Sequence, residues 1–187
     1  GKPIPQRCDG HFQRVFLGYG FTSDVLLLRI DIVKPLRFGI LTRRNRKPLE
    51  DALQTLCEAL TLSIGRVLDI DAREISAGFR FGNDGSADFA DIFIYDTLSG
   101  GAGYALQAGE SFGKIFDHAK ALLVDCTCSA SCENCLRHYA NRFSHTVLDR
   151  KLGNALARYI ETAQVEDEFS SAQQASVLEP LTEMVGL

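Results

Sequence analysis

Four cysteines within ten residues, Cys126, Cys128, Cys132 and Cys135, are the side chains of this 187-residue chain best placed to do chemistry. A thiolate is a soft anionic donor, and four of them complete a tetrahedral shell around Zn²⁺ with no position left for water. Cys132-x-x-Cys135 is the knuckle spacing that turns two sulfurs toward one ion. Cys126-x-Cys128 sets two more on one side of an extended segment, where side-chain direction repeats every second residue. A [4Fe–4S] cluster is also held by four thiolates and is the minor alternative. Paired disulfides suit neither the knuckle geometry nor a chain without other marks of secretion. His138 and His145 follow closely and are substitute nitrogen ligands. A closed four-sulfur shell leaves no site for a nucleophilic metal-bound water, so the expected role of the metal is structural. The binding free energy, ~10–16 kcal/mol in zinc-finger peptides, then goes into folding.

A second candidate surface follows the cysteines. Between Arg137 and Arg158 five basic residues (Arg137, Arg142, Arg150, Lys151 and Arg158) face one acid, Asp149, a formal +4 in a chain whose net charge is −4. Such a segment suits a phosphate backbone, although a charge run is also an ordinary solvated face. Thr42-Arg43-Arg44-Asn45-Arg46-Lys47 reads as a second basic loop. The turn Asp96-Thr-Leu-Ser99-Gly100-Gly101-Ala-Gly103 could cradle a phosphate on its N–H groups. It lacks the third glycine of a dinucleotide fingerprint, because Leu106 stands there, and Gly109–Ile115 falls short of a P-loop. The favoured reading is structural: glycines at positive φ, with Asp96 and Ser99 fixing the turn. No catalytic constellation stands out, and a hydrolase built on Asp96 is the weakest of the functional alternatives.

The elements that must position these residues follow from periodicity. Val25–Val33 alternates as a strand, and His11–Leu17 reads as another. Pro48 is expected to open a long amphipathic helix, 48–68, whose stripe is Leu49, Leu53, Leu56, Cys57, Leu60, Ile64 and Leu68. A hairpin follows, 75–81 against 89–95, turning at Gly82–Ser86. A second amphipathic helix carries Phe112, Ile115, Phe116, Ala119, Leu122 and Leu123 into the cysteine window. After Cys135 a helical stretch is expected through Tyr139, broken at 141–145. Asp149 then caps a third helix, 150–162, with Leu152, Ala155, Leu156, Tyr159 and Ile160 buried. The fold class is therefore α+β: a mixed or antiparallel sheet, packed amphipathic helices and a Cys₄ zinc knuckle. Residues 1–163 are read as one domain and residues 164–187, which contain five acids and no Lys or Arg, as a mobile tail. The chain opens on Gly1 and is expected to be a piece of a longer protein. No apolar run is long enough to cross a bilayer, and the lone Cys8 and Cys57 read as packed hydrophobes of a reducing, cytoplasmic setting.

Several of these stretches together resemble the MrfA-like zinc-binding domain. They are Tyr95–Gly103, the cysteine cluster with Leu136, Asn141 with Leu148-Asp149-Arg150, and, more weakly, Thr22-Ser23-Asp24-Val25-Leu26. The likeness covers roughly residues 12–162. This module occurs at the C-terminus of superfamily 2 DEAD/DEAH-type helicases and in stand-alone partners such as those of DISARM phage defence. The resemblance implies a non-catalytic, zinc-stabilised accessory domain that helps a helicase guide DNA, single-stranded above all, with the motor in cis or in trans. It carries the metal ligands over to Cys126, Cys128, Cys132 and Cys135. The expected DNA contacts are Arg137, Arg142, His145 and Arg150, since they cluster beside the knuckle and phosphate contacts dominate such binding. For Asp149 and Arg150 the competing expectation is a helix cap and an ion pair fixing the knuckle to the domain. The alternative function is a structural module that docks a helicase motor without touching DNA.

Overall fold

Alternating side chains make Val25–Ile32 a strand, β1, with Leu26, Leu28, Ile30 and Ile32 on one face and Val25, Leu27, Arg29 and Asp31 on the other. In the computed structural model, which describes residues 15, 18, 20–33 and 43–164, β1 belongs to a three-stranded sheet. The other strands are β2 (Ile75–Asn83) and β3 (Asp88–Asp96), in the order β1-β3-β2, with both pairings antiparallel. β3 takes the centre because its side chains can be buried on both faces: Phe89, Ala90, Asp91, Ile92, Ile94 and Asp96 are all buried. The β2–β3 hairpin closes where the Asp84 carboxylate accepts the N–H groups of Ser86 and Ala87, each at 3.0 Å.

Among the described residues four α-helices accompany the sheet: α1 (Arg43–Leu68), α2 (Tyr104–Glu110), α3 (Phe112–Val124) and α4 (Arg150–Thr162). The α1 stripe Leu53, Leu56, Leu60 and Ile64 shares one core with Ile30, Ile32, Ile92 and Ile94 of the sheet and with Ile115, Leu123, Leu136, Leu148 and Leu156. Burying such a side chain stabilises by about 1.5–3 kcal/mol. Leu136 and Leu148, at the two ends of the segment behind the cysteines, are therefore anchors that tie it to the helices. The opposite sheet face is polar at its centre. Buried Asp91 accepts from Arg29 Nε at 2.9 Å and from Arg80 Nη2 at 2.9 Å, and the Arg29 bond foremost holds its carboxyl below the ordinary carboxylate range. Toward one end of that face Val25 and Leu27 stand 57% and 53% exposed.

The α+β class, the hairpin and the capped third helix agree with the sequence reading, and four details differ. Arg43–Lys47 are the start of α1 instead of a basic loop, so Pro48 is the sixth residue of that helix and not its opening. The i,i+4 ion pairs Arg46–Glu50 and Lys47–Asp51 bridge the proline position and offset the backbone hydrogen bond it lacks. No helix continues from Cys135 to Tyr139, because the N–H groups of Cys135, Leu136 and Arg137 all turn back to the Cys132 carbonyl, at 3.1, 3.1 and 2.9 Å. A 3₁₀ segment then runs over Tyr139–Ser144, where a break was expected. On α4 the buried side is Gly153, Leu156, Ala157 and Tyr159, while Ala155 and Ile160 are exposed. The rotation follows from a close helix crossing: a Cβ on Gly153 would lie 2.8 Å from Thr55 Cγ2 and 2.9 Å from Leu123 Cδ2. The expected strand 11–17 (Val15 apart), Cys8, Thr42 and the acidic tail from 165 onward lie outside the described residues.

Candidate metal centre and the basic surface beside it

α3 ends at Val124, and the chain passes through the cysteine loop before α4 begins at Arg150. The loop brings all four Sγ atoms within 4.8 Å of one another. Cys126–Cys132, Cys128–Cys135 and Cys132–Cys135 are separated by 3.6, 3.8 and 3.7 Å. A Zn–S bond of ~2.3 Å puts the corners of a tetrahedron ~3.8 Å apart, so these sulfurs are spaced for one zinc ion. A bonded pair would need ~2.05 Å, and the cysteines are free thiols. An iron–sulfur core would interpose its irons and sulfides and hold the thiolates wider. The Cys132 N–H points at Cys135 Sγ, 3.2 Å away, which offsets negative charge on that sulfur. The Cys128 backbone N–H brings the Cys126 thiol down to about 7, while burial pushes Cys128 up to about 12. A bound Zn²⁺ deprotonates a coordinating thiol outright, so it would bring all four to the same state. Cys57 lies buried in the core, and burial pushes its thiol up to about 12, which makes it a packing group.

The arginines behind the knuckle are tied into it. Arg150 donates from Nε to the Cys128 carbonyl at 2.8 Å and from Nη1 to the Leu123 carbonyl at 3.3 Å, and its N–H reaches the Ala130 carbonyl at 2.8 Å. Asp149 caps α4 by accepting from Lys151 N at 2.8 Å, and its own N–H donates to Thr55 Oγ1 at 3.0 Å. The Arg137 guanidinium donates to buried Ser131 at 2.9 Å and to the His145 carbonyl at 3.4 Å. These acceptors are neutral, so Arg150 holds the knuckle to the domain through backbone carbonyls and not through the ion pair expected from the sequence. Arg142 is exposed; it donates to the Tyr139 carbonyl at 3.3 Å and lies against the rings of Tyr139 and Phe143.

Both histidines are taken up away from the sulfurs. His138 accepts the Asn141 N–H and places Nε2 2.6 Å from Glu58 Oε1 on α1. His145 Nε2 sits between the Asn141 side-chain oxygen at 2.9 Å and the His138 carbonyl at 3.1 Å, so that nitrogen carries the proton. Asn141 is the hub of this segment: its Oδ1 also accepts the His138 N–H at 2.9 Å, and its Nδ2 donates to the Leu136 carbonyl at 2.8 Å. The sequence reading placed Asn141 in the family resemblance and in a helix break but gave it no hydrogen-bonding role, and it did not consider Ser131. Asn141 has a local signal in its place three residues after His138, the N3 position of a capping box; Ser131 has none, because its partner is set by the folded loop.

The glycine turn is closed by its own chain. The buried Asp96 carboxylate accepts three N–H groups, from Ala102 at 2.5 Å, Tyr104 at 3.1 Å and Ala105 at 2.8 Å. Gly100, Gly101 and Gly103 have φ of 97°, 78° and 81°, the left-handed region that a side chain disfavours. Ser99 lies exposed in the same turn. The Thr22-Ser23-Asp24 element clamps it from the other side. Gly100 N–H donates to the Thr22 carbonyl at 2.8 Å, Ser23 Oγ donates to the Asp96 carbonyl at 2.7 Å, and the Asp24 side chain fills the space a Cβ on Gly101 would need. With its carboxylate buried under three N–H groups, Asp96 is the acceptor that closes this turn.

Fold and site together define a small α+β domain built to hold one zinc ion in a closed four-thiolate shell. Residues 56–136, less than half of the chain, match the family model described as MrfA Zn-binding domain, the family the sequence resembles. The chain is 43% identical over 162 residues to Druantia protein DruE of Escherichia coli (strain UMEA 4076-1). That alignment takes in 84% of this chain and 9% of DruE, so the chain spans about a tenth of the length of this relative. Among solved structures it is similar to the DUF1998 helicase MrfA bound to DNA, with a TM-score of 0.48 and 20% identity over 64% of this chain and 15% of that one. It is also similar to the same helicase bound to DNA and AMPPNP, with a TM-score of 0.43 and 18% identity over 65% and 15% of the two chains.

Proposed function

We propose that this chain is the zinc-braced accessory domain of a DNA helicase, non-catalytic itself, that guides single-stranded DNA past a motor carried in cis or in trans. The observation that carries the reading is the coupling of metal loop to basic surface. Arg137 and Arg150 fix the loop through neutral carbonyls and a hydroxyl, so the segment that completes the zinc site also presents uncompensated positive charge. The match to the MrfA Zn-binding domain supports the helicase setting. The likeness to a Druantia protein favours antiviral defence over repair, and cysteines without a disulfide support a reducing, cytoplasmic setting. In this reading Arg142 meets the strand directly, while Arg137, His145 and Arg150 line the path and supply field more than contact.

Binding of a labelled oligothymidylate to the 187-residue chain tests it. The expected result is measurable affinity at low salt, a fall in log K with log salt, and a loss of several-fold in Arg142→Ala. No binding at low salt overturns it. A second reading, a module that docks the motor and leaves DNA alone, is favoured by the apolar end of the sheet's outer face, where Val25 and Leu27 are more than half exposed. No helix among the described residues is long and apolar enough to cross a membrane.

A further inference from the structure

Tyr139 and Phe143 are the most exposed large apolar side chains among the described residues, at 81% and 84%. Neither contributes to the core, and together they form a patch with a charged centre. The Arg142 guanidinium carbon lies 4.5 Å from the Tyr139 ring centroid and 4.4 Å from that of Phe143, so three planar groups meet on one 3₁₀ segment. The segment itself is held firmly. Asn141 ties it to Leu136 and His145, His138 ties it to Glu58 of α1, and the cysteine loop lies directly before it. Tyr139 also forms part of the wall of a cleft of ≈ 590 Å³, with Thr61, Ser76, Asn141 and Ser144 among its lining. Exposed rings on a rigid support are arranged to meet a flat partner without first losing conformational entropy.

We propose that Tyr139, Arg142 and Phe143 form a stacking platform for the bases of single-stranded DNA. The proposal rests on the DNA-guiding reading above and adds that the strand is gripped through its bases as well as its phosphates. Every base presents a π face, so aromatic rings and a guanidinium plane stack on it without regard to sequence. A duplex hides those faces, which makes the platform selective for an unpaired strand. Charge decides between kinds of partner. An apolar protein groove would have to desolvate Arg142 within a segment of formal +4, whereas a single strand brings planar apolar faces and negative charge together. The sequence signal is the interleaving of Tyr139-x-x-Arg142-Phe143, aromatic with basic, in the segment already marked by its charge.

Fluorescence anisotropy of the zinc-loaded 187-residue chain, with an oligothymidylate and an abasic oligomer of equal length, tests the platform. Tyr139→Ala and Phe143→Ala are each expected to weaken oligothymidylate binding by roughly 5- to 150-fold. Both should leave abasic binding and the salt slope as in the parent chain, because no phosphate contact is removed. Phe143→Trp should retain the affinity. The exposed positions predict that all three variants keep their zinc and their thermal midpoint. Oligothymidylate affinity unchanged in both alanine variants would overturn the platform, leave the DNA-guiding reading standing and assign the rings to a protein partner. An equal loss on the abasic oligomer would also overturn it. Binding of neither oligomer by the parent chain would bring down both readings.

Discussion

The guanidinium of Arg150 reaches one carbonyl ahead of the first cysteine pair, Leu123 in α3, and one within it, Cys128, while its own N–H donates to the Ala130 carbonyl. Hydrogen bonds from a charged donor contribute about 1.5–3 kcal/mol each, less where water competes. Arg150→Ala is therefore expected to lower unfolding stability by about 2 kcal/mol and to speed zinc transfer to a chromogenic chelator. Arg150→Lys should behave nearly as badly, because an ammonium lacks the fork that spans both carbonyls. Zinc transfer as slow as in the parent chain would show that the loop does not depend on this side chain. The four cysteines were legible from sequence because their relation to each other is local: an x-x turn and an x alternation are enough to converge four sulfurs. Arg150 was half legible. Its place after a capping Asp announced a helix start, but its acceptors belong to backbone 22 and 27 residues away in sequence, and only the folded loop supplies them.

α4 carries the same lesson to the level of elements. Its periodicity and the Asp149 cap located the helix at 150–162, as observed, yet the buried side was rotated from the expected one. A hydrophobic stripe counts large side chains, and glycine has none, so the closest contact of the helix was invisible to that count. Gly153 is where α4 meets Thr55 of α1 and Leu123 of α3. Thr55 cannot turn aside freely, because its hydroxyl donates to the Asp51 carbonyl at 2.7 Å and accepts from Asp149 N–H at 3.0 Å. In a free helix Gly→Ala would stabilise by up to about 1 kcal/mol. Here overpacking, at about 1–3 kcal/mol, is expected to win, so Gly153→Ala should lower the urea midpoint without changing the slope of the transition. A raised midpoint would mean that the crossing has slack. Pro48 was misjudged for a related reason: the rule that places proline at the first helical turn is a preference, and the ion pairs Arg46–Glu50 and Lys47–Asp51 let α1 begin five residues earlier.

Across the whole molecule, the sheet and α1 form one body, and α3, the cysteine loop and α4 form a flap whose two helices pack on α1. Leu136 and Leu148 anchor the loop in the core, Arg150 and Arg137 stitch its turns, and His138 links it to α1 through Glu58. Within that loop the cysteines lie between the helix that ends at Val124 and the segment that displays Tyr139, Arg142 and Phe143, so the metal acts as a brace for a surface. The brace was legible in the sequence; of the platform it displays only the interleaving of aromatic and basic residues was, since exposure and ring-to-guanidinium contact exist only in three dimensions. Everything proposed for the surface depends on one ion completing the tetrahedron. The direct measurement is the metal content of the purified chain by elemental analysis, with Cys132→Ser as the control. The expected result is one zinc per chain, no iron, and loss of both the zinc and the cooperative unfolding transition in the variant. Iron with acid-labile sulfide, or a metal-free chain that unfolds with the same stability as its Cys132→Ser variant, would contradict it.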